Sequence, residues 1–171
     1  MKTIYLAGGC YWGMQHFLQL ICGVESTEVG FANGNTKNPT YEQVYTDKTG
    51  YAETVKVVFN PSVLPLSDLI RLYFKAINPL SLNQQGEDQG TRYRTGIYFS
   101  NPADEPVIRQ IYDEIQQQYA EPLAVELLPL QNFVPADEYH QDYLIKNPNG
   151  YCHLTKDIFD VARNYRRPSI S

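Results

Sequence analysis

The chain has 171 residues, 43% of them hydrophobic, which is enough to bury one sizeable core, and 19 Asp and Glu against 14 Lys and Arg leave a formal charge of -5. That acidic balance, with no basic stripe, excludes a nucleic-acid binder, and no apolar run approaches the ~20 residues that cross a bilayer, so a cytoplasmic single-domain protein without a membrane anchor is expected. Three cysteines, Cys10, Cys22 and Cys152, form neither a secreted disulfide framework nor a C-x-x-C pair, which points to nucleophilic or redox use.

In chain order, Thr3 to Ala7 is short, β-rich and uncharged, and it predicts a buried strand ended by Gly8-Gly9. Met14, Phe17, Leu18 and Ile21 then recur at i, i+3, i+4 and i+7, one stripe of a helix that Gly23 stops. Cys10 therefore falls at a helix N-terminus, where unpaired N–H groups and the helix dipole favour a thiolate, so its pKa is expected in the range of roughly 3.5–7.5. Cys22, next to the helix-ending glycine, reads as structural packing. Val24 to Ala32 is a second strand, closed by the turn Asn33-Gly34-Asn35, and Thr40 is placed to cap a helical turn over Pro39 to Val44.

Ala52 to Phe59 is the most informative strand. Glu53 shares its parity with Val55, Val57 and Phe59, so period two turns a carboxyl toward the core. Burial disfavours the charged carboxylate and makes Glu53 a candidate proton donor. Ser67 is placed to cap a helix with the stripe Leu69, Ile70, Tyr73, Phe74 and Ile77. Leu80 to Thr91 reads as a glycine-bearing loop presenting Asp88, Arg92 to Phe99 as a strand, Pro102 onward as a long helix, and Ala124 to Leu130 as a last strand. The order β-α-β-β-α-β predicts an α+β fold with a ferredoxin-like split β-α-β core plus an extra helix and strand. Phe133 to Lys146 reads as a short helix containing Tyr139-His140-Gln141. Beyond His153 a loosely packed, basic, irregular tail is expected, which divides the chain into residues 1–153 and a tail or linker remnant, 154–171.

A nucleophilic cysteine together with a second one on a mobile segment suits redox turnover, because a sulfenic acid on the first condenses with the second. Two other classes compete. A cysteine hydrolase needs His140 beside Cys10, since His16 lies too far along the helix and reads as a surface residue. A metal-binding module needs Cys10, His140, Cys152 and His153 as ligands, and their spacing fits no usual zinc site.

Six motifs in order carry a resemblance: Gly9-Cys10-Tyr11-Trp12-Gly13, Pro39-Thr40-Tyr41-Glu42, Thr49-Gly50-Tyr51-Ala52-Glu53, Gln85-Gly86-Glu87-Asp88-Gln89-Gly90-Thr91-Arg92-Tyr93-Arg94, Tyr139-His140-Gln141 and Asn147-Pro148-Asn149-Gly150-Tyr151-Cys152. Across nearly its whole length the chain resembles type A peptide methionine sulfoxide reductases. The resemblance implies reduction of the S epimer of methionine sulfoxide, free or in proteins, with thioredoxin as electron source and no cofactor. It also implies roles. Cys10 attacks the sulfoxide sulfur, Glu53 donates a proton to the oxygen, and the Tyr41 and Tyr93 hydroxyls bind that oxygen. Tyr11 and Trp12 wall the S-methyl group, Asp88 orders the polar side, and Cys152 resolves the sulfenic acid as a disulfide.

The chain departs from the family pattern where Tyr11 replaces the usual Phe, Tyr51 the usual His, and Ile77-Asn78-Pro79 the frequent His-Asp-Pro. Many relatives carry a second tail cysteine that is absent here, which implies a one-step relay through Cys152 or, alternatively, Cys22. The ending Tyr165-Arg166-Arg167-Pro168-Ser169 resembles the junction at which some relatives join a type B reductase, which leaves two readings open, a stand-alone chain and one domain of such a fusion.

Overall fold

The computed structural model describes residues 1–35, 42–43 and 49–166. Of Pro39 to Val44, only Glu42 and Gln43 are among them, so the Thr40 cap and Tyr41 lie outside the described residues. Strand β1 is Lys2–Gly8, helix α1 Tyr11–Gln19, β2 Val24–Ala32 and β3 Ala52–Phe59. Helix α2 follows at Leu66–Lys75, then two short strands, β4 Gln84–Gln85 and β5 Asp88–Gln89, and β6 Thr95–Phe99. The chain continues with α3 Glu105–Gln116, β7 Glu126–Pro129, β8 Phe133–Pro135, α4 Tyr143–Lys146 and α5 Lys156–Asn164.

Six strands form one sheet in the order β7-β6-β1-β3-β2-β8. The four neighbouring pairs within β6-β1-β3-β2-β8 are antiparallel, and β6 with β7 is parallel. Period-two patterning decides which way the strands face. Ile4, Leu6, Val29, Phe31, Val55, Val57, Phe59 and Ile97 bury one sheet face under the helices, where Met14, Phe17 and Leu18 of α1 and Leu69, Ile70 and Tyr73 of α2 complete the core. The opposite face carries a smaller cluster of Ala7, Ala32, Ala52 and Tyr98, backed by Phe133. Both faces of β3 are therefore covered near its start, and Glu53 begins its strand in a fully packed environment.

Several expectations change. Ser67 lies inside α2, whose N-cap is Pro65 with no side-chain cap; proline's fixed φ and missing N–H suit the place. The strand expected over Arg92 to Phe99 starts only at Thr95, because Thr91–Tyr93 coils into a 3₁₀ turn. Phe133 to Lys146 is not one helix: Phe133–Pro135 pairs with β2, Glu138–His140 is a 3₁₀ turn, and helix begins at Tyr143 after Asp142 at φ 54. Cys22 is exposed and not packed. The loose tail expected beyond residue 153 is instead helix α5, whose Ala162 is fully buried and whose Ile158, Phe159 and Val161 pack against the core. Ile158, Phe159, Ala162 and Tyr165 fall at i, i+1, i+4 and i+7, a stripe too short to stand out among the charges around it. The Tyr165 hydroxyl donates to Asp68 of α2 and ties the end of α5 down.

Tyr73 fastens the site-bearing end of the sheet. Its buried hydroxyl donates to the carbonyl of Ala7 and accepts from the N–H of Gly96 at 3.1 Å, joining β1 and β6 through α2. Tyr73→Phe leaves both buried backbone groups short of a partner, so urea unfolding is expected to show a loss of about 1–3 kcal/mol with an unchanged m-value.

Candidate active site

β1 runs out at Gly8, and Gly9 turns the chain with φ 83 before Cys10 takes the N-cap position of α1. A side chain at Gly9 has no room as well as the wrong φ, since a Cβ there lies 2.7 Å from Gln85 Cβ and 3.0 Å from His153 Nε2. Gln85 is itself locked, its amide bonded to both the N–H and the carbonyl of Asn78. The cysteine is thus set at the mouth of a helix by a turn that two other segments hold in place.

Glu53 reaches the same spot from β3. It is 1% exposed, and its Oε1 accepts from the Tyr11 N–H at 3.2 Å, so the carboxyl docks on the first turn of the helix that Cys10 caps. Parity predicted this orientation, and the register places Phe31 opposite Glu53 on the core face. Tyr11 is buried beneath, its ring 5.7 Å from both Phe31 and His140. Trp12 is half-buried above, stacked on Tyr143 at 3.7 Å, and its Nε1–H donates to His140 Nδ1 at 3.2 Å. His140 Nδ1 therefore serves as an acceptor for the indole; burial pulls its pKa down and keeps it neutral for that part.

Tyr93 comes in from the 3₁₀ turn, 8% exposed, with the Arg92 guanidinium 4.4 Å from its ring centre. Burial, then the nearby Glu53 charge, pushes its phenol up to about 12, so it is a hydroxyl donor throughout the physiological range. Asp88 sits on β5, where its carboxyl, raised by burial, takes a hydrogen bond from Tyr151. Cys152 lies against the bare face of Gly13: a Cβ built there would stand 3.0 Å from its Sγ. Cys22 lies beyond the other end of α1, with about 13 Å of helix rise between the two ends. Among the described residues no group of three or more His, Cys, Asp or Glu is arranged to hold a metal ion.

Residues 2–167 match the family model described as peptide methionine sulfoxide reductase. A peptide methionine sulfoxide reductase MsrA from Lachnoclostridium phytofermentans is 52% identical over 163 residues, which are 95% of this chain and 98% of that protein. The chain belongs to the peptide methionine sulfoxide reductase family. It is an oxidoreductase acting on methionine sulfoxide. Among solved structures, reduced Mxr1 from Saccharomyces cerevisiae superposes with a TM-score of 0.84 at 36% identity, covering 88% of each chain. Mxr1 in complex with Trx2 superposes with a TM-score of 0.59 at 26% identity, over 83% of this chain and 84% of that one.

In this reductase the expected low-pKa thiolate at Cys10 is not found. Burial pushes the thiol well up, the Glu53 and Asp88 charges push it further, and the N–H groups of Trp12 and Gly13 offset only part of that. The helix N-terminus acts as anticipated, but desolvation to 6% exposure outweighs two backbone donors. His16 is also no surface residue; its ring meets the edge of Phe159 of α5 at 4.9 Å. Sequence reasoning missed two aromatic members of the reductase site and, outside it, a histidine next to Cys152. Tyr143 and Tyr151 belong to no periodic pattern, and only their place beside the Tyr139-His140-Gln141 and Tyr151-Cys152 motifs hints at them. His153 was weighed only as a metal ligand.

Because the Glu53 charge raises the Cys10 thiol, Glu53→Gln is expected to lower the midpoint of Cys10 alkylation against pH, while wild type remains largely protonated at neutral pH. Iodoacetamide rates measured on a variant with the other two cysteines replaced by serine check this; an unchanged or higher midpoint means the two groups do not share a site.

Proposed function

We infer that the protein reduces the S epimer of methionine sulfoxide, free or in proteins, through a sulfenic acid on Cys10 that Cys152 resolves and thioredoxin reduces. The observation that carries this is the docking of the buried Glu53 carboxyl on the N–H next to Cys10. Cys10 and Glu53 hold one proton between them. With sulfoxide bound, that proton is on Glu53, and the sulfur left ionised attacks the substrate sulfur as the proton moves to the substrate oxygen. The bond between the two sulfurs and the substrate S–O bond then break as the hydroxyl passes to Cys10, so that methionine leaves as the sulfide and Cys10 is left as the sulfenic acid. The Tyr93 hydroxyl, kept protonated, and that of Tyr41 stabilise the oxygen as charge develops on it. The Trp12 indole, held flat by Tyr143 and His140, receives the S-methyl group with Tyr11 beneath it, and Asp88 orders the polar rim.

Cys152 is the resolver supported by position, since it packs on Gly13 in the first turn of α1 while Cys22 is at the far end. Thioredoxin as reductant is supported by the Trx2 complex of Mxr1. The core is classed as ferredoxin-like because β3 lies between β1 and β2, and β1 between β3 and β6, antiparallel throughout.

Cys10→Ser is expected to abolish methionine formation. Cys152→Ser with Cys22 intact releases about one methionine per chain and then stalls with thioredoxin, and Glu53→Gln slows the first turnover by ~10²–10⁴. A single-turnover assay on each sulfoxide epimer, with thiols counted before and after, checks all three; sustained thioredoxin-driven turnover by Cys152→Ser removes Cys152 as resolver.

A further inference from the structure

His153, next to Cys152 in the chain, packs against Gly8 and over Gly13 at the start of α1. Its Nε2 lies 3.1 Å from the carbonyl oxygen of Gly8, and a carbonyl only accepts, so Nε2 carries the proton and Nδ1 is the bare nitrogen. That Nδ1 is shielded from solvent and has no hydrogen-bond partner among the described residues. It opens on the same spot as the resolving sulfur: a Cβ built on Gly13 would lie 3.0 Å from Cys152 Sγ and 3.2 Å from His153 Nδ1, which puts the two atoms within about 6 Å of each other without a hydrogen bond between them. The thiol and the bare nitrogen share one glycine's open face, directly above the turn that begins at Cys10.

We propose that His153 is a positioning residue for disulfide formation, its bond to Gly8 holding Cys152 over Gly13 and its Nδ1 taking the Cys152 proton as that sulfur attacks oxidised Cys10. The inference rests on the sulfenic-acid course given above. In the step, Cys152 loses its proton to Nδ1 and its sulfur lone pair forms the bond to Cys10 Sγ. The Cys10 S–O bond breaks with its electron pair going to oxygen. The imidazolium returns the proton to that oxygen, which leaves as water. The Cys10 sulfur is reduced from the sulfenic level, the Cys152 sulfur is oxidised from the thiol level, and no outside oxidant enters.

The charges around the pair suit this division. Burial raises the Cys152 thiol, Asp88 adds to it, and only the Leu154 N–H opposes, so at neutral pH the sulfur keeps its proton and needs a base. Burial lowers His153, with Asp88 from β5 and the Gly8 carbonyl of β1 opposing, so the ring is neutral and able to accept. The Asp88 charge, hydrogen-bonded to Tyr151, then faces the imidazolium as it forms. This is a base beside the second sulfur, distinct from the acid beside the first.

The test is a rapid-quench single turnover of the full chain with L-methionine-S-sulfoxide and no reductant, following methionine and free thiols separately. His153→Gln retains a donor for Gly8 and lacks a base. Methionine is expected to form at the wild-type rate, while thiol loss at pH 7 slows by ~10² or more and recovers as pH approaches the Cys152 pKa. Wild-type rates of thiol loss in His153→Gln at pH 7 overturn the proposal. Should the variant not fold, the wild-type profile decides. Thiol loss after methionine release must level off once the imidazole is neutral, above about pH 6.5, and a rate still climbing through about pH 8.5 overturns the proposal. Failure of the underlying course looks different: wild type then releases methionine with no loss of thiols at all.

Discussion

Everything in this site depends on burying a carboxyl against the start of a helix. Glu53 is on a strand whose other face is also covered, so its carboxyl is held almost wholly out of water, and the Tyr11 N–H gives one of its oxygens a defined place. A carboxylate so enclosed raises any acidic neighbour, and the neighbour is Cys10, itself buried. In the proposed mechanism this makes a pair that stores a single proton, in contrast to a cysteine ionised by a helix dipole alone.

The remaining structure keeps that pair aligned. Tyr73 joins β1 to β6 behind Gly8, Gln85 braces the Gly9 turn, and the aromatic ladder of Trp12, His140 and Tyr143 fixes the indole from above. The segment with His140 and Tyr143 is in turn fastened to α1 and β2: the Asp142 N–H donates to Gln15, and the Gln141 amide bonds both the N–H and the carbonyl of Val29. The Tyr151-Cys152-His153 segment crosses the same helix start, hooked to Asp88 on one side and to Gly8 on the other. Both sulfurs thus lie at the opening turn of one helix.

Much of this was legible in the residues because it follows from period and parity. The i, i+3, i+4, i+7 stripe placed Cys10 at a helix start, and alternation in β3 turned Glu53 inward. What failed has physical causes. The Cys10 acidity was misjudged because a sequence reports the helix N-terminus but not the depth of burial that outweighs it. Tyr93 was put on a strand because Arg92 to Phe99 alternates, yet Gly90 at φ 130 starts a 3₁₀ turn first. The segment from Phe133 to Lys146 was read as helix because its β8 contribution is short and its pairing with β2 is long-range. Helix α5 was missed because a single helix of nine residues offers only two turns of pattern and draws its stability from packing on α1 and α2.

The protonation state of Glu53 with substrate in place tests the central claim most directly. Infrared difference spectroscopy of the Cys10→Ser protein, recorded at neutral pH with and without bound methionine sulfoxide and repeated with Glu53→Gln added, isolates the carboxyl stretch of this one side chain. A protonated carboxyl band in the complex that disappears on adding Glu53→Gln is the predicted result. A carboxylate signature from Glu53 in the complex, with no protonated band, would contradict the account.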